Sequence, residues 1–205
     1  MADAVPLQVF SDYVCPFCYI GEGLVENLMK EQDLNLEVTW RPLQLRPDTP
    51  EKGIPLATYF AMTPDEVRHR LEELRPRLEE MGRPFNPPTT MVNTQKAHLL
   101  AEYARDHDKM DEVRSALFRA FWAEGKDISK DDVLRSIAKK AGLDADAAMA
   151  SVASGEHMER LNESINAANS LRVRDVPSFV VDRQRQISGA LPYLFLVEMI
   201  RHYTR

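Results

Sequence analysis

Apolar residues cluster in LQVFSDYV (Leu7 to Val14), the pattern of a short buried strand. In the following YIGEGLVENLMKEQ, the positions Ile20, Leu24, Leu28 and Met29 recur at helical spacing. LNLEVTWRPLQL then alternates, with Leu34, Leu36, Val38 and Trp40 on one face, the period of a half-exposed strand. A β-α-β unit is therefore predicted at the front of the chain. From about residue 60 the period changes to that of helices, predicted near 64–81, 93–107, 110–124, 130–141 and 144–154, with no strands among them. Thr63-Pro64-Asp65-Glu66 supplies a cap, a first-turn proline and a capping-box acid. Asn93, Ser129 and Asp144 are expected caps, and Gly142 and Gly155 expected stops. GRPFNPPTTMVNT, with Pro84, Pro87 and Pro88, reads as an extended connector. A helix near 156–171 leads to two short strands, Ser178 to Val181 and Arg185 to Ile187, joined at Asp182-Arg183-Gln184. An amphipathic helix from Pro192 to Tyr203 closes the pattern. The order is β-α-β, a helical block, then α-β-β-α.

A chain of 205 residues is long enough to bury a proper core, so its two cysteines have no stapling task. Trp40, Phe118, Phe121 and Trp122 lie on amphipathic elements and are assigned to that core, while Glu72, Glu73, Glu79 and Glu80 form a solvated helix face. The net charge of -6 argues against nucleic acid or an anionic membrane as the main partner. No apolar run approaches the roughly 20 residues of a spanning helix. MADAVPLQVFSDYVC lacks a basic segment followed by an apolar one, so a cytoplasmic protein is expected. In a reducing compartment a cysteine pair is more often catalytic or metal-binding than a permanent bridge.

Both cysteines fall in SDYVCPFCYIG, as Cys15-Pro16-Phe17-Cys18 at the predicted strand-to-helix junction. Unpaired backbone N–H groups and the positive end of the helix dipole favour a thiolate there. Free cysteine has a pKa near ~8.5, and such pairs fall to between ~3.5 and ~7.5. Cys18, one turn inside, is close enough to resolve a mixed disulfide formed on Cys15, so the spacing suits thiol–disulfide exchange. Half a zinc site is the alternative, but a structural site needs about four ligands, and His69, His98, His107, His157 and His202 show no paired spacing. Two inert core cysteines are the other alternative. Pro16 between them marks a helix start rather than a helix interior. Val176-Pro177 precedes the apolar SFVV, where proline belongs at a strand's first position or an edge.

A strand, a CxxC and a helix at the front, with VP before a hairpin at the back, resemble the thioredoxin fold, and specifically its DsbA-like branch. The FrnE-like proteins, grouped with 2-hydroxychromene-2-carboxylate isomerases, are similar through SDYVCPFCYIG, WRPLQLRPD, NTQKAH, EGKDISKDDVL and DVPSFVVDRQRQISGALP. The resemblance covers nearly the whole chain. It implies an α/β thioredoxin fold with an inserted all-helical domain: residues 1–60 and 156–205 form the thioredoxin part and 61–155 the insertion. It further implies a cis Val176-Pro177 against the cysteine pair, with the backbone of Val176 free to pair with an extended substrate. The catalytic residues are then Cys15 as nucleophile, Cys18 as resolver and Pro177 as the substrate-positioning residue. Phe17, Val176 and His98 are the expected substrate-binding residues, with no metal and no bound cofactor. Protein or peptide thiols and disulfides are the expected partners, with glutathione a candidate co-substrate and a homodimer a candidate assembly. Strongly oxidising relatives carry histidine between the cysteines. Phe17 adds no such charge, so a reduction potential nearer that of thioredoxin, about -270 mV, than that of DsbA, about -120 mV, is expected. Other relatives on this fold are glutathione-dependent isomerases and kappa-class transferases, which typically carry serine at the position of Cys15.

Overall fold

The structure, a computed structural model, describes residues 4–204. Its elements begin with β1 (Val5–Ser11), α1 (Pro16–Leu28), β2 (Leu36–Pro42), β3 (Ile54–Pro55) and α2 (Leu56–Phe60). Next come α3 (Pro64–Glu72), α4 (Arg75–Glu80), β4 (Thr90–Met91), α5 (Gln95–Arg105), α6 (Met110–Trp122), α7 (Asp131–Lys140) and α8 (Ala145–Ser154). The chain ends with α9 (Met158–Ser170), β5 (Ser178–Val181), β6 (Arg185–Ser188) and α10 (Tyr193–Tyr203). Two compact units result. One comprises the residues up to Leu43 together with Asn162 onward, and the other comprises Gln44–Leu161.

In the first unit the sheet order is β2-β1-β5-β6. β1 runs parallel to β2, pairing Phe10 with Arg41, and antiparallel to β5, pairing Phe10 with Ser178. Parallel neighbours need a crossover, which α1 provides between β1 and β2. The central strands are apolar on both faces: Leu7, Val9, Phe10, Phe179, Val180 and Val181 are fully buried. Each such side chain contributes about 1.5–3 kcal/mol relative to exposure. Arg201 of α10 holds Glu31 at 3.0 Å, Asp33 at 2.8 Å and Glu198 at 2.9 Å. Tyr193 donates to Glu31, and its phenol is pushed up to about 12 by burial and then by that bond. These contacts fasten the final helix to the segment between α1 and β2.

The second unit is helical, with a core of Leu117, Phe118, Phe121 and Trp122; Phe85 stacks on Trp122 at 6.0 Å, and Phe121 meets it edge-on at 5.1 Å. Trp40 is likewise buried, in the first unit. The expected capping box is present, with Thr63 accepting from Glu66 N and Glu66 accepting from Thr63 N. Asp144 caps α8 through the N–H groups of Asp146 and Ala147, and Gly155 ends that helix at φ +70°.

Several expectations change. The helix expected over 64–81 is two helices, because Pro76 lacks the N–H that would reach the Glu72 carbonyl and its ring crowds that group. Thr90–Met91 forms a strand in the block expected to have none, pairing antiparallel with Ile54–Pro55. Ser129 does not cap α7; its N–H and hydroxyl both turn back to Asp127 Oδ1, and Asp131 and Asp132 in the first turn complement the positive end of the helix dipole instead. Asn93 stands one residue before the α5 cap, accepting from Gln95 N while its Nδ2 donates to the carbonyls of Pro47 and Thr49. The last two bonds and the β3–β4 pairing tie residues 44–60 to the helices. The first unit boundary accordingly falls at Leu43/Gln44 rather than after residue 60, and the second falls at Leu161/Asn162, inside α9, rather than after residue 155.

Candidate active site

β1 ends at Ser11, earlier than the apolar run suggests, because Cys15 N donates to Asp12 O at 3.2 Å and closes a turn. This turn places Cys15 at the N-cap of α1 in extended geometry, with Pro16 as the first helical residue. Pro16 has no N–H to leave unsatisfied and its fixed φ suits a helix start. Cys15 O accepts from Cys18 N at 3.0 Å and Tyr19 N at 3.3 Å, so Cys18 is one turn in. Both cysteines are free thiols and both are buried, Cys15 at 6% exposure and Cys18 at 0%. Phe17 projects outward at 45% exposure, a large apolar ring beside the sulfur.

The distant Val176–Pro177 bond is cis, and the Cys15 thiol donates to the Val176 carbonyl at 3.5 Å across 161 residues of sequence. Pro177 O accepts from Gly189 N, anchoring the turn to the end of β6. Pro177 also lies against α1: a Cβ built on Gly21 would stand 3.0 Å from Pro177 Cβ and Cγ and 3.7 Å from Phe179 Cζ. Sequence reasoning missed Gly21 and Asp12. Gly21 ends the cysteine motif, but its role shows only once Pro177 is placed. Asp12 is 1% exposed, and its signal was a lone charge in an apolar run.

Electrostatically the two thiols are split. The hydrogen bond from Cys18 holds the Cys15 pKa below its ordinary value of 9.0, helped by the backbone N–H groups of Cys18 and Phe17 and opposed by burial and Asp12. Burial pushes Cys18 well above 9.0, reinforced by its bond to Cys15 and by that neighbour's charge. A thiol held low and a partner held high make one attacking sulfur and one proton-bearing sulfur. Iodoacetamide labelling should therefore reach half its maximal rate at Cys15 below pH 9.0 and at Cys18 above it, read by peptide mass spectrometry. Equal titration of the two would contradict the split. The linked stability has a definite sign: the Cys15 contribution is full above pH 9.0 and fades as pH falls through its lower folded value.

His98 lies elsewhere in the chain, buried in the first turn of α5 in the second unit. The first unit itself brings Cys15, Cys18, Phe17, Val176 and Pro177 together. Among the described residues, no group of three His, Cys, Asp or Glu is placed to hold a metal, and no helix is long and apolar enough to cross a membrane.

The model of the DsbA-like thioredoxin domain matches residues 6–201. The chain belongs to the DsbA-like thioredoxin family. Among curated members of known sequence, YwbO of Bacillus subtilis, an uncharacterized protein, is 27% identical over 180 residues, 86% of either chain. The 2-hydroxychromene-2-carboxylate isomerase of Sphingobium xenophagum is 25% identical over 181 residues, 87% of this chain and 89% of the isomerase. Among solved structures, a probable DsbA oxidoreductase from Streptomyces coelicolor superposes with a TM-score of 0.91, covering 98% of this chain and 90% of its own at 22% identity. That likeness shows a DsbA-like fold over nearly the full length, a mixed α/β arrangement built on a small sheet.

Proposed function

We propose that this DsbA-like protein is a thiol–disulfide oxidoreductase that exchanges disulfides with protein or peptide substrates in the cytoplasm. The observation that carries the proposal is the split thiol pair, with Cys15 held low and facing the carbonyl of Val176 before a cis proline. Cys15 thiolate attacks one sulfur of the substrate disulfide; that S–S bond breaks, one substrate thiolate leaves, and a mixed disulfide forms on Cys15. Cys18 gives up its proton and attacks Cys15 Sγ, releasing the second substrate thiolate and leaving a Cys15–Cys18 disulfide. Two electrons pass to the substrate, and a thiol reductant such as glutathione returns them in a second cycle. No bound cofactor takes part. Pro177 cannot donate to a neighbouring strand, which leaves the edge at Val176 to an extended substrate backbone, while Phe17 offers apolar contact.

A second reading follows from the similarity to the isomerase: glutathione-dependent isomerisation or transfer on small aromatic compounds. Retention of Cys15 and Cys18 favours exchange, because activating glutathione does not need a resolving thiol. The two readings separate in parallel assays. Insulin reduction driven by dithiothreitol is expected, with a reduction potential nearer about -270 mV than about -120 mV in a glutathione redox titration. No insulin reduction, together with turnover of a chromene carboxylate plus glutathione in a Cys18→Ser variant, would establish the isomerase instead.

A further inference from the structure

We infer that the Ser11 hydroxyl stabilises the Cys18 thiolate as that sulfur attacks, which makes Ser11 a rate-setting residue for the resolving step. The inference rests on the exchange reading above and adds a residue to the half of it that Cys18 carries. Ser11 is the last residue of β1, and its carbonyl is fixed by Leu43 N at 3.0 Å. Val9 pairs with Phe179, and side chains opposite one another in paired strands share a face. The Phe179 ring comes to 3.7 Å from a Cβ built on Gly21 of α1, so that face is the one α1 covers. Ser11, two residues beyond Val9, points to the same face, at the end of the strand where α1 begins with the cysteines.

Ser11 is 6% exposed, and its Oγ has no hydrogen-bond partner among the described residues. Its register partner in β2 is Pro42, whose ring carries neither donor nor acceptor. A buried hydroxyl left unpaired is a cost to folding. The group it acts on is Cys18: burial, the bond to Cys15 and that neighbour's charge push the Cys18 thiol up, and the Ser11 hydroxyl and the Asp12 backbone N–H pull it down. In the resting pair the Cys18 proton is committed to Cys15, and a protonated sulfur is a weak acceptor, so the Ser11 proton has nothing to bond. A mixed disulfide on Cys15 changes this. Cys15 then carries no charge, and of the causes that raise Cys18 only burial is left. As Cys18 releases its proton to the solution, the Ser11 O–H keeps its own and donates to the new thiolate, a charge-assisted bond absent from the resting state. The Cys18 sulfur then bonds to Cys15 Sγ, the bond from Cys15 to the substrate sulfur breaks, and its electron pair leaves on the substrate. In the reverse direction the same hydroxyl steadies Cys18 as the leaving thiolate.

Stopped-flow reaction of the reduced full-length protein with dithiobis-nitrobenzoate separates the two halves: attack by Cys15 releases one coloured thiolate, and resolution by Cys18 releases the second. Ser11→Ala is expected to slow the second release by about 3–10-fold at neutral pH, because losing a hydrogen bond to an anion depletes the thiolate while the more basic thiolate that remains attacks faster and returns part of the loss. The slowing falls on the second release because the Ser11 hydroxyl is not among the groups that hold Cys15 low. Raising the pH should close the gap as Cys18 ionises in both proteins; the buried acids Asp12 and Glu22 are common to both. Ser11→Thr keeps the hydroxyl and should keep the second release near the wild-type rate. Melting temperature separates a structural role: the hydroxyl has no partner at rest, so Ser11→Ala should melt no lower than the wild type while resolving more slowly. An unchanged second release in Ser11→Ala, an equal slowing in Ser11→Thr, or a slowing that comes with a lower melting temperature and persists at high pH would overturn the inference. A wild type that releases both thiolates with this dependence on Ser11 but does not reduce insulin would overturn only the exchange reading for protein substrates. A wild type that releases one thiolate alone would overturn both.

Discussion

Cys15→Ser is expected to abolish disulfide exchange, lowering insulin reduction by about three orders of magnitude or to background, because a serine hydroxyl does not ionise near neutral pH and forms no S–S bond. Cys18→Ser should give a different defect. Its Cys15 still attacks, but with no resolving thiol the mixed disulfide accumulates, and non-reducing mass spectrometry should find substrate attached to Cys15 alone. In Cys18→Ala, which lacks the donor that serine would keep, the Cys15 labelling midpoint should rise, since the Cys18 hydrogen bond is the largest cause of its lowered pKa. A Cys15→Ser protein that reduced insulin at the wild-type rate would remove the basis of the proposed mechanism.

Gly21→Val should cost about 3 kcal/mol of stability, the upper part of the range for overpacking a tight contact. Helix propensity works the other way, since replacing a helical glycine with valine regains a few tenths of a kcal/mol. The clash wins because the atoms 3.0 Å away belong to the closed ring of Pro177, which has no rotamer into which to retreat. For a chain of this size the melting temperature should fall by roughly 6–12 °C. Exchange should slow as well, because displacing Pro177 displaces the Val176 carbonyl that faces Cys15. A Gly21→Val protein that melts with the wild type would show that α1 and the proline turn are not packed as described.

The β-α-β start, the hairpin near the end and the Cys15-Cys18 junction were legible in the sequence because each carries a local period or spacing. Thr63 and Asp144 were legible as caps for the same reason, since a cap acts within four residues. The features that were not legible depend on partners far along the chain. Ile54–Pro55 and Thr90–Met91 are each two residues long, too short for any alternation to show, and exist as strands only because they pair. Asn93 looks like a cap until the carbonyls of Pro47 and Thr49 are placed beside its amide. Gly21 is one of two glycines in α1, and nothing local distinguishes it from Gly23 until Pro177 arrives from the other end of the chain.

The contact between Cys15 Sγ and Val176 O makes one acceptor serve two customers. In the proposed exchange an incoming backbone N–H would attach to that carbonyl, which has two lone pairs, so the thiol proton competes with it for one of them. Loss of the proton would arm the sulfur and free the second lone pair in the same event. Reactivity and docking would thereby be linked to a single ionisation, and a neutral Cys15 would be both the poorer nucleophile and the weaker receptor. The affinity for an extended peptide should then rise with pH in step with thiolate formation, even for a peptide that contains no disulfide.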